Sequence, residues 1–161
     1  MASRTTLVTA GGAMVLGTLI GAGAQPAGAA NTVNATFRVP AKPVTNPCAP
    51  TDVVNLSGDI HVVMTSTSSK AGGYTVTSHL NSHLSGLSIT TGTRYVSDET
   101  QEQTWHGEPP YPVIHKQTHT WTIVSQSGTD DYLLHMTMHQ TVSPGGVPTA
   151  TADNFRLECK G

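Results

Sequence analysis

The sequence predicts an all-β domain: an antiparallel up-and-down β-barrel of about seven or eight strands, closed by one disulfide. Composition is the first reason, because 25 Thr, 13 Ser, 16 Gly and 10 Pro among 161 residues favour strands and turns over helices. The second is the alternation of apolar and polar residues along most of the chain, which is the period of a half-buried strand. The third is a pair of cysteines near the two ends of the alternating region. A β-sandwich is the alternative, since two packed sheets bury the same apolar face.

Residues 1–29 have the three-part layout of a secretory signal peptide, so we expect a secreted protein. Arg4 precedes an apolar run over residues 7–24, and the small-residue stretch that follows predicts cleavage after Ala29. A membrane anchor is the alternative, but five glycines dilute the run. Nothing after the cleavage site is apolar enough to cross a bilayer, so the sequence predicts no membrane span once the signal is removed.

The two cysteines, Cys48 and Cys159, predict a disulfide, because an even cysteine count in an exported chain is typical of an oxidised pair. If the strand after Cys48 and the strand ending at Cys159 are neighbours, this bond lies where the barrel closes. The chain then divides into an N-terminal strand with a Pro-rich connector over residues 30–47 and a barrel domain over residues 48–161.

Alternation and turn residues place the strands in order. Apolar residues occupy even positions over residues 52–66 and again over 74–84, on either side of a Gly-rich turn. Three prolines exclude residues 107–112 from a central strand, because proline cannot donate to the ladder. The adjacent acids Asp130 and Asp131 are interpreted as solvated turn residues. The other predicted strands cover residues 32–39, 87–95, 99–106, 113–125, 132–142 and 149–160.

The first predicted hairpin carries a candidate metal site. An even register keeps the apolar residues of its two strands on one face, since a one-residue slip reverses the faces. If the numbers of paired residues sum to 140, His61 lies opposite His79, with Asp59 nearby as a third ligand for Zn or Cu. A sum of 142 moves these partners to diagonal positions.

A second histidine cluster depends on the hairpin that follows residue 125. Pairs that sum to 254 place His119 opposite His135 and His115 opposite His139, which makes a four-histidine patch. An odd sum instead places Trp121 on the same face as the apolar residues of the next strand. The sequence leaves both registers open.

Composition and motifs narrow the function classes. A net charge of −2, from 8 Lys+Arg and 10 Asp+Glu, offers no basic surface for nucleic acid. The sequence has neither a G-x-S-x-G motif nor a phosphate-binding loop, so it predicts no catalytic residues and no cofactor. A non-catalytic binding or surface-interaction module is favoured, whose partner is a small apolar ligand inside the barrel or a cell-surface component. The alternatives are a His-dependent Zn- or Cu-binding protein and a small-barrel enzyme of the cyclase or isomerase type.

Four short segments occur in an order that resembles a known group of proteins. They are Asn-Pro-Cys at 46–48, Gly-Asp-Ile-His-Val-Val at 58–63, Thr-Thr-Gly-Thr-Arg-Tyr at 90–95 and Glu-Cys-Lys at 158–160. Together they are similar to a broad group of small exported bacterial β-proteins without an established function. The resemblance covers most of the chain from residue 46 onward. It implies export and a β fold, and it implies no catalytic or binding residues.

Overall fold

The computed structural model describes residues 30–127 and 130–160. The predicted signal peptide over residues 1–29, with its cleavage site at Ala29, lies outside the described residues. In the described part of the chain, no helix is long and apolar enough to cross a membrane. The strands are β1 (Ala30–Asn46), β2 (Ala49–Ser68), β3 (Tyr74–Ser88), β4 (Arg94–Gly107), β5 (Val113–Ser125), β6 (Tyr132–Val142) and β7 (Pro148–Cys159).

The seven strands form one antiparallel sheet in sequence order, and this sheet curls into a half-barrel. The predicted fold class is therefore confirmed. The ladder continues from β4 to β5, so the strands stay in one curled sheet. Curling brings β7 into contact with β1, although no ladder joins these two strands among the described residues. We call the gap between β1 and β7 the seam.

The predicted disulfide is confirmed, and it crosses the seam at one end. Cys48 lies in the turn between β1 and β2, Cys159 ends β7, and their Cα atoms are 4.8 Å apart. The bond closes a loop with a sequence separation of 111 residues. In the chain-entropy account, restricting the unfolded chain in this way stabilises the fold by about 5 kcal/mol.

The core is the inner face of the half-barrel, and it settles the register of the β5–β6 hairpin. Pairs in this hairpin sum to 255, with Trp121 opposite Leu134, and both side chains are buried. The odd register allows Trp121 and Ile123 to share the core with the apolar residues of β6. Burying a large apolar side chain contributes about 1.5–3 kcal/mol, so this arrangement is strongly favoured over an exposed Trp121.

The strand predicted over residues 87–95 is wrong, because a turn interrupts it. β3 ends at Ser88 and β4 begins at Arg94. The Ser88 N–H donates to the Thr93 carbonyl at 2.8 Å, and the Ser88 hydroxyl accepts the N–H of Thr91 at 2.8 Å. Alternation persists through this Thr-rich segment, but the buried serine satisfies the turn backbone and ends the strand.

β1 is longer than predicted, because the Pro-rich segment continues the strand instead of forming a connector. An edge strand tolerates proline, since one side of its backbone has no ladder partner. Val39 pairs with Gly58 and Lys42 with Leu56, so two β1 residues lie opposite one β2 residue. This bulge reverses which residues face inward. Before it the odd-numbered residues of β1 face inward, and after it the even-numbered residues do, including the buried Asn46.

β7 contains a matching bulge opposite Met136 of β6. His135 pairs with Arg156 and Thr137 with Asp153, and Asn154 adopts a positive φ of 50°. Asparagine is among the few residues that tolerate this left-handed conformation. The bulge turns the odd-numbered residues at the end of β7 inward, which allows Cys159 to reach across the seam.

We expect Gly58→Ala to destabilise the fold by about 3–5 kcal/mol, which urea unfolding will measure. Gly58 has a φ of +144°, and a Cβ at this position would lie 2.1 Å from the His83 carbonyl oxygen. Gly92→Ala is the matched control, since its φ is +76° and its Cβ would meet nothing within 4 Å. The control should lose only the strain cost of about 1–2 kcal/mol. Equal losses in the two variants would contradict the role of the close backbone approach.

Candidate functional site

A pocket of about 230 Å³ lies in the seam, where β1 and β7 face each other. Its lining is apolar except for one lysine. For comparison, an engineered apolar cavity of about 150 Å³ accepts benzene. The pocket therefore has room for a small apolar molecule. We call it the seam pocket, and its lining residues are Val39, Lys42, Val44, Leu56, Leu134, Phe155 and Leu157.

The two bulges determine which side chains line the seam pocket. The β1 bulge turns Lys42 and Val44 towards the seam in place of Pro43 and Thr45. The β7 bulge does the same for Phe155, whose side chain is 43% exposed at the edge of the pocket. Bulges at sheet edges commonly redirect side chains at functional sites. The pocket is thus a consequence of how both edge strands are built.

A second depression, of about 330 Å³, lies on the outer face of β2, β3 and β4. It is more open than the seam pocket, and polar residues form about half of its lining. A molecule bound there would keep much of its surface in water, whereas ligand sites usually bury most of their ligand. The seam pocket is therefore the better candidate site.

A buried polar cluster lies around the side chain of Asn46, two residues after Val44 of the seam pocket. The Asn46 Oδ1 accepts the N–H of Cys48 at 2.9 Å, which directs the amide nitrogen inward. The amide nitrogen lies 2.7 Å from Asp130 Oδ2, 3.1 Å from the Tyr95 hydroxyl and 3.3 Å from Asp52 Oδ2. We call this the Asn46 cluster: Asn46, Asp52, Ser88, Tyr95 and Asp130.

The two carboxylates of the Asn46 cluster have pKa values below the usual range. For Asp130, the hydrogen bond from Tyr95 is the largest cause and outweighs the effect of burial. For Asp52, burial by itself raises the pKa, but hydrogen bonds, first from Ser88 and then from Asn46, outweigh it.

The prediction that Asp130 and Asp131 are solvated turn residues is wrong. Asp130 accepts the hydrogen bond of Tyr95, and Asp131 accepts the backbone N–H of residue 125 at 2.9 Å.

Two tyrosines, Tyr95 of the cluster and the neighbouring Tyr132, are held in the neutral form. Burial raises the pKa of Tyr95 and of Tyr132, and the charge of Asp130 raises both further. The Tyr95 hydroxyl donates a hydrogen bond to Asp130 Oδ2 at 2.6 Å, and the centroid of its ring lies 5.2 Å from that of Tyr132. The cluster therefore connects β1, β4 and the segment just before β6 through hydrogen bonds from neutral donors to two charged carboxylates.

β4 and β5 separate over most of their length. The described residues of these strands pair only at 95–96 and 124–125. Side chains bridge the opening: Glu99 Oε1 accepts the N–H of Thr122 at 2.9 Å, and Gln101 Nε2 donates to a β5 carbonyl at 2.7 Å. These bonds satisfy backbone groups that a ladder would otherwise pair.

Two histidines predicted as metal ligands lie in this opening. His119 Nδ1 lies 3.1 Å from Gln101 Oε1, and His115 stacks on Trp105 with ring centroids 4.9 Å apart. Burial lowers the pKa of His119, and the neighbouring His115 lowers it further. His119 is therefore a neutral hydrogen-bonding group at neutral pH.

The first predicted histidine cluster is not formed. The β2–β3 hairpin has the even register, as expected, but its pairs sum to 142. The turn over residues 69–73 sets this register, and it moves His61 and His79 out of direct opposition. Asp59 forms an ion pair with Arg38 of β1 instead, with 3.1 Å between Oδ1 and Nε.

The four-histidine patch is not formed either. Because the β5–β6 hairpin pairs with a sum of 255, His115 and His119 face the interior. His135 and His139 then face outward from β6. The burial of Trp121 decides between the two registers, because the face of β5 that carries Trp121 must then point inward.

Four histidines instead lie beside carboxylates of neighbouring strands. In residues 30–127 and 130–160, no three His, Cys, Asp or Glu side chains come together as a group that could hold a metal ion. The structure disperses the histidines over both faces of the sheet. The nitrogen–oxygen contacts are His79–Glu102 at 3.4 Å, His83–Asp98 at 3.0 Å, His135–Glu158 at 3.4 Å and His139–Asp153 at 3.4 Å.

No family model, no curated protein and no solved structure matches this chain. The resemblance to small exported bacterial β-proteins therefore stays a prediction. Three of the segments that carry the resemblance meet at the disulfide end of the half-barrel. The Cys48–Cys159 bond joins segments 46–48 and 158–160, and the contact of Asn46 with Tyr95 joins segments 46–48 and 90–95.

Sequence reasoning missed Lys42 and Asn46, the residues that mark the pocket and the cluster. A signal was present in the parity of β1, where Phe37 and Val39 are odd-numbered apolar residues and Val44 is even-numbered. A strand that buries all three needs one extra residue between them, which is a bulge. That bulge predicts that Lys42 and Asn46 face inward as well.

We expect Asp130→Asn to destabilise the fold by about 1–3 kcal/mol at pH 7, because the variant weakens a partly buried charge-assisted hydrogen bond. The lowered pKa of Asp130 gives stability that is fully present above the ordinary carboxyl pKa of about 3.9. This stability is lost as the pH falls through the lowered folded-state pKa.

Urea unfolding between pH 2 and 7 will measure this effect. The wild-type free energy of unfolding should rise more steeply with pH in the acid range than that of Asp130→Asn. Glu108→Gln, at an exposed carboxylate, is the control and should keep the wild-type slope. Parallel pH profiles for wild type and Asp130→Asn would show that Asp130 does not stabilise the folded state.

Proposed function

We propose that the protein is an exported, non-catalytic binding module that takes one small apolar ligand in the seam pocket. The observation that carries this proposal is the pocket itself, about 230 Å³ in volume with six apolar residues among its seven lining residues. Small β-barrels hold ligands of this kind in their interior. Here the seam gives access to the interior from the side.

The lining of the seam pocket supports binding over catalysis. Among the described residues, the lining contains no His, Asp, Glu, Ser or Cys, and Lys42 is its one ionisable residue. A small-barrel enzyme needs several polar groups that converge on the substrate in the pocket. One amine at the edge of an apolar surface does not form an acid–base pair.

The disulfide supports an exported location. Structural disulfides form and persist outside the reducing cytosol, and Cys48–Cys159 joins the turn after the first strand to the end of the last strand. With the predicted signal peptide over residues 1–29, we propose that the protein functions in the extracellular space or at the cell surface.

Calorimetric titration with 1-octanol tests the binding proposal. Burying about eight carbons is favourable by about 0.8 kcal/mol each before the cost of association, so we expect one site with a dissociation constant on the order of 0.1 mM. Val44→Phe should weaken binding at least tenfold, because the larger ring occupies the half-buried edge of the pocket.

Val124→Phe is the matched control, since Val124 is 41% exposed on the outer face of β5. It should bind as the wild type does. The proposal fails if 1-octanol shows no saturable binding, or if the two variants lose affinity equally.

A further inference from the structure

We infer that the ligand of the seam pocket is a free single-chain anionic amphiphile, with its hydrocarbon tail among the six apolar residues and its carboxylate at Lys42. This inference rests on the proposed function and adds the chemical class of the ligand. It depends on where the β1 bulge directs Lys42, on the absence of a partner for that side chain, and on the size of the pocket.

The β1 bulge places a charged side chain where a regular strand would not. Lys42 pairs with Leu56 of β2, a floor residue of the pocket, and both belong to the lining. Without the extra residue, Lys42 would face outward with the other exposed side chains of β1. An ammonium group on a flexible stem can remain at the pocket mouth while its methylenes cover apolar surface.

The Lys42 ammonium has no counter-ion among the described residues. Carboxylates on and beside the two edge strands have other partners: Asp59 pairs with Arg38 at 3.1 Å, and Glu158 with Arg156 at 2.8 Å. No ion pair or hydrogen bond joins Lys42 to another residue in the described ranges. An anionic group on the ligand would therefore meet an uncompensated positive charge at the edge of an apolar surface.

The volume of the pocket limits the tail. At about 230 Å³ it is roughly half as large again as the cavity of about 150 Å³ that takes benzene. A chain of about six to eight carbons fits this space, with its carboxylate at the mouth near Lys42. The apolar lining excludes a ligand with polar groups along its length, because these would lose their hydrogen bonds to water.

Three probes with the same tail and different head groups test this inference: octanoate, 1-octanol and octylammonium. Calorimetric titration of the folded, oxidised protein should show that octanoate binds about tenfold more tightly than 1-octanol, and that octylammonium binds more weakly than either. In 1 M salt the advantage of octanoate over 1-octanol should fall towards unity, because the Debye length is then about 3 Å.

Substitution of Lys42 gives an independent measurement. Lys42→Gln should remove the preference for octanoate while leaving 1-octanol affinity within about twofold, and Lys42→Glu should shift the preference to octylammonium. Lys70→Gln is the matched control, since Lys70 is an exposed lysine in the β2–β3 turn. It should keep the wild-type order of affinities.

The outcomes separate the two proposals. If 1-octanol binds as tightly as octanoate to the wild-type protein, the anionic class is overturned while the seam pocket remains a ligand site. If none of the three probes binds, the proposed function fails as well. The wild-type comparison of head groups needs no variant, so it is decisive even if a substitution impairs folding.

Discussion

The buried amide of Asn46 is the constraint on which the rest of the structure depends. It lies at the end of β1, is fully buried, and contacts Cys48, Tyr95 and Asp130 within 3.1 Å. These contacts hold the first strand against the middle of the sheet and the start of β6, next to the disulfide. The neighbouring Cys48–Cys159 bond holds β7 at the same end of the seam, and the bulges of both edge strands turn side chains into the seam pocket. A regular β1 would turn Asn46 outward and remove both features.

Much of the fold could be predicted from the sequence, because strand alternation is a local property. Even-numbered residues of β2 and β3 do share the core, and Trp121 does share the core face with β6. The disulfide followed from a cysteine count. The exact register did not follow, since the difference between sums of 140 and 142 depends on turn geometry. The turn after Ser88 was missed because threonines on both sides continue the alternation of a strand.

The site was harder to predict than the fold, because it depends on contacts between residues distant in sequence. Lys42 and Phe155 are far apart in the chain, and only the two bulges bring them to one pocket. The structural role of the polar side chains between β4 and β5 could not be predicted either. Glu99 and Gln101 have the pattern of solvated strand residues, yet their side chains replace ladder hydrogen bonds between β4 and β5. A hydrophobicity pattern does not distinguish these two roles.

The edge strands have one more physical consequence. An open edge normally presents a row of unpaired backbone groups on which a second polypeptide can assemble, and this is a common origin of fibrous aggregation. Here β1 has Pro40, Pro43 and a bulge, and β7 has its own bulge at Asn154. These irregularities limit the regular run of donors and acceptors on β1 to residues 30–39 and on β7 to the segments on either side of its bulge. The same irregularities that turn side chains into the seam pocket thus shorten the edge segments on which a second chain could pair.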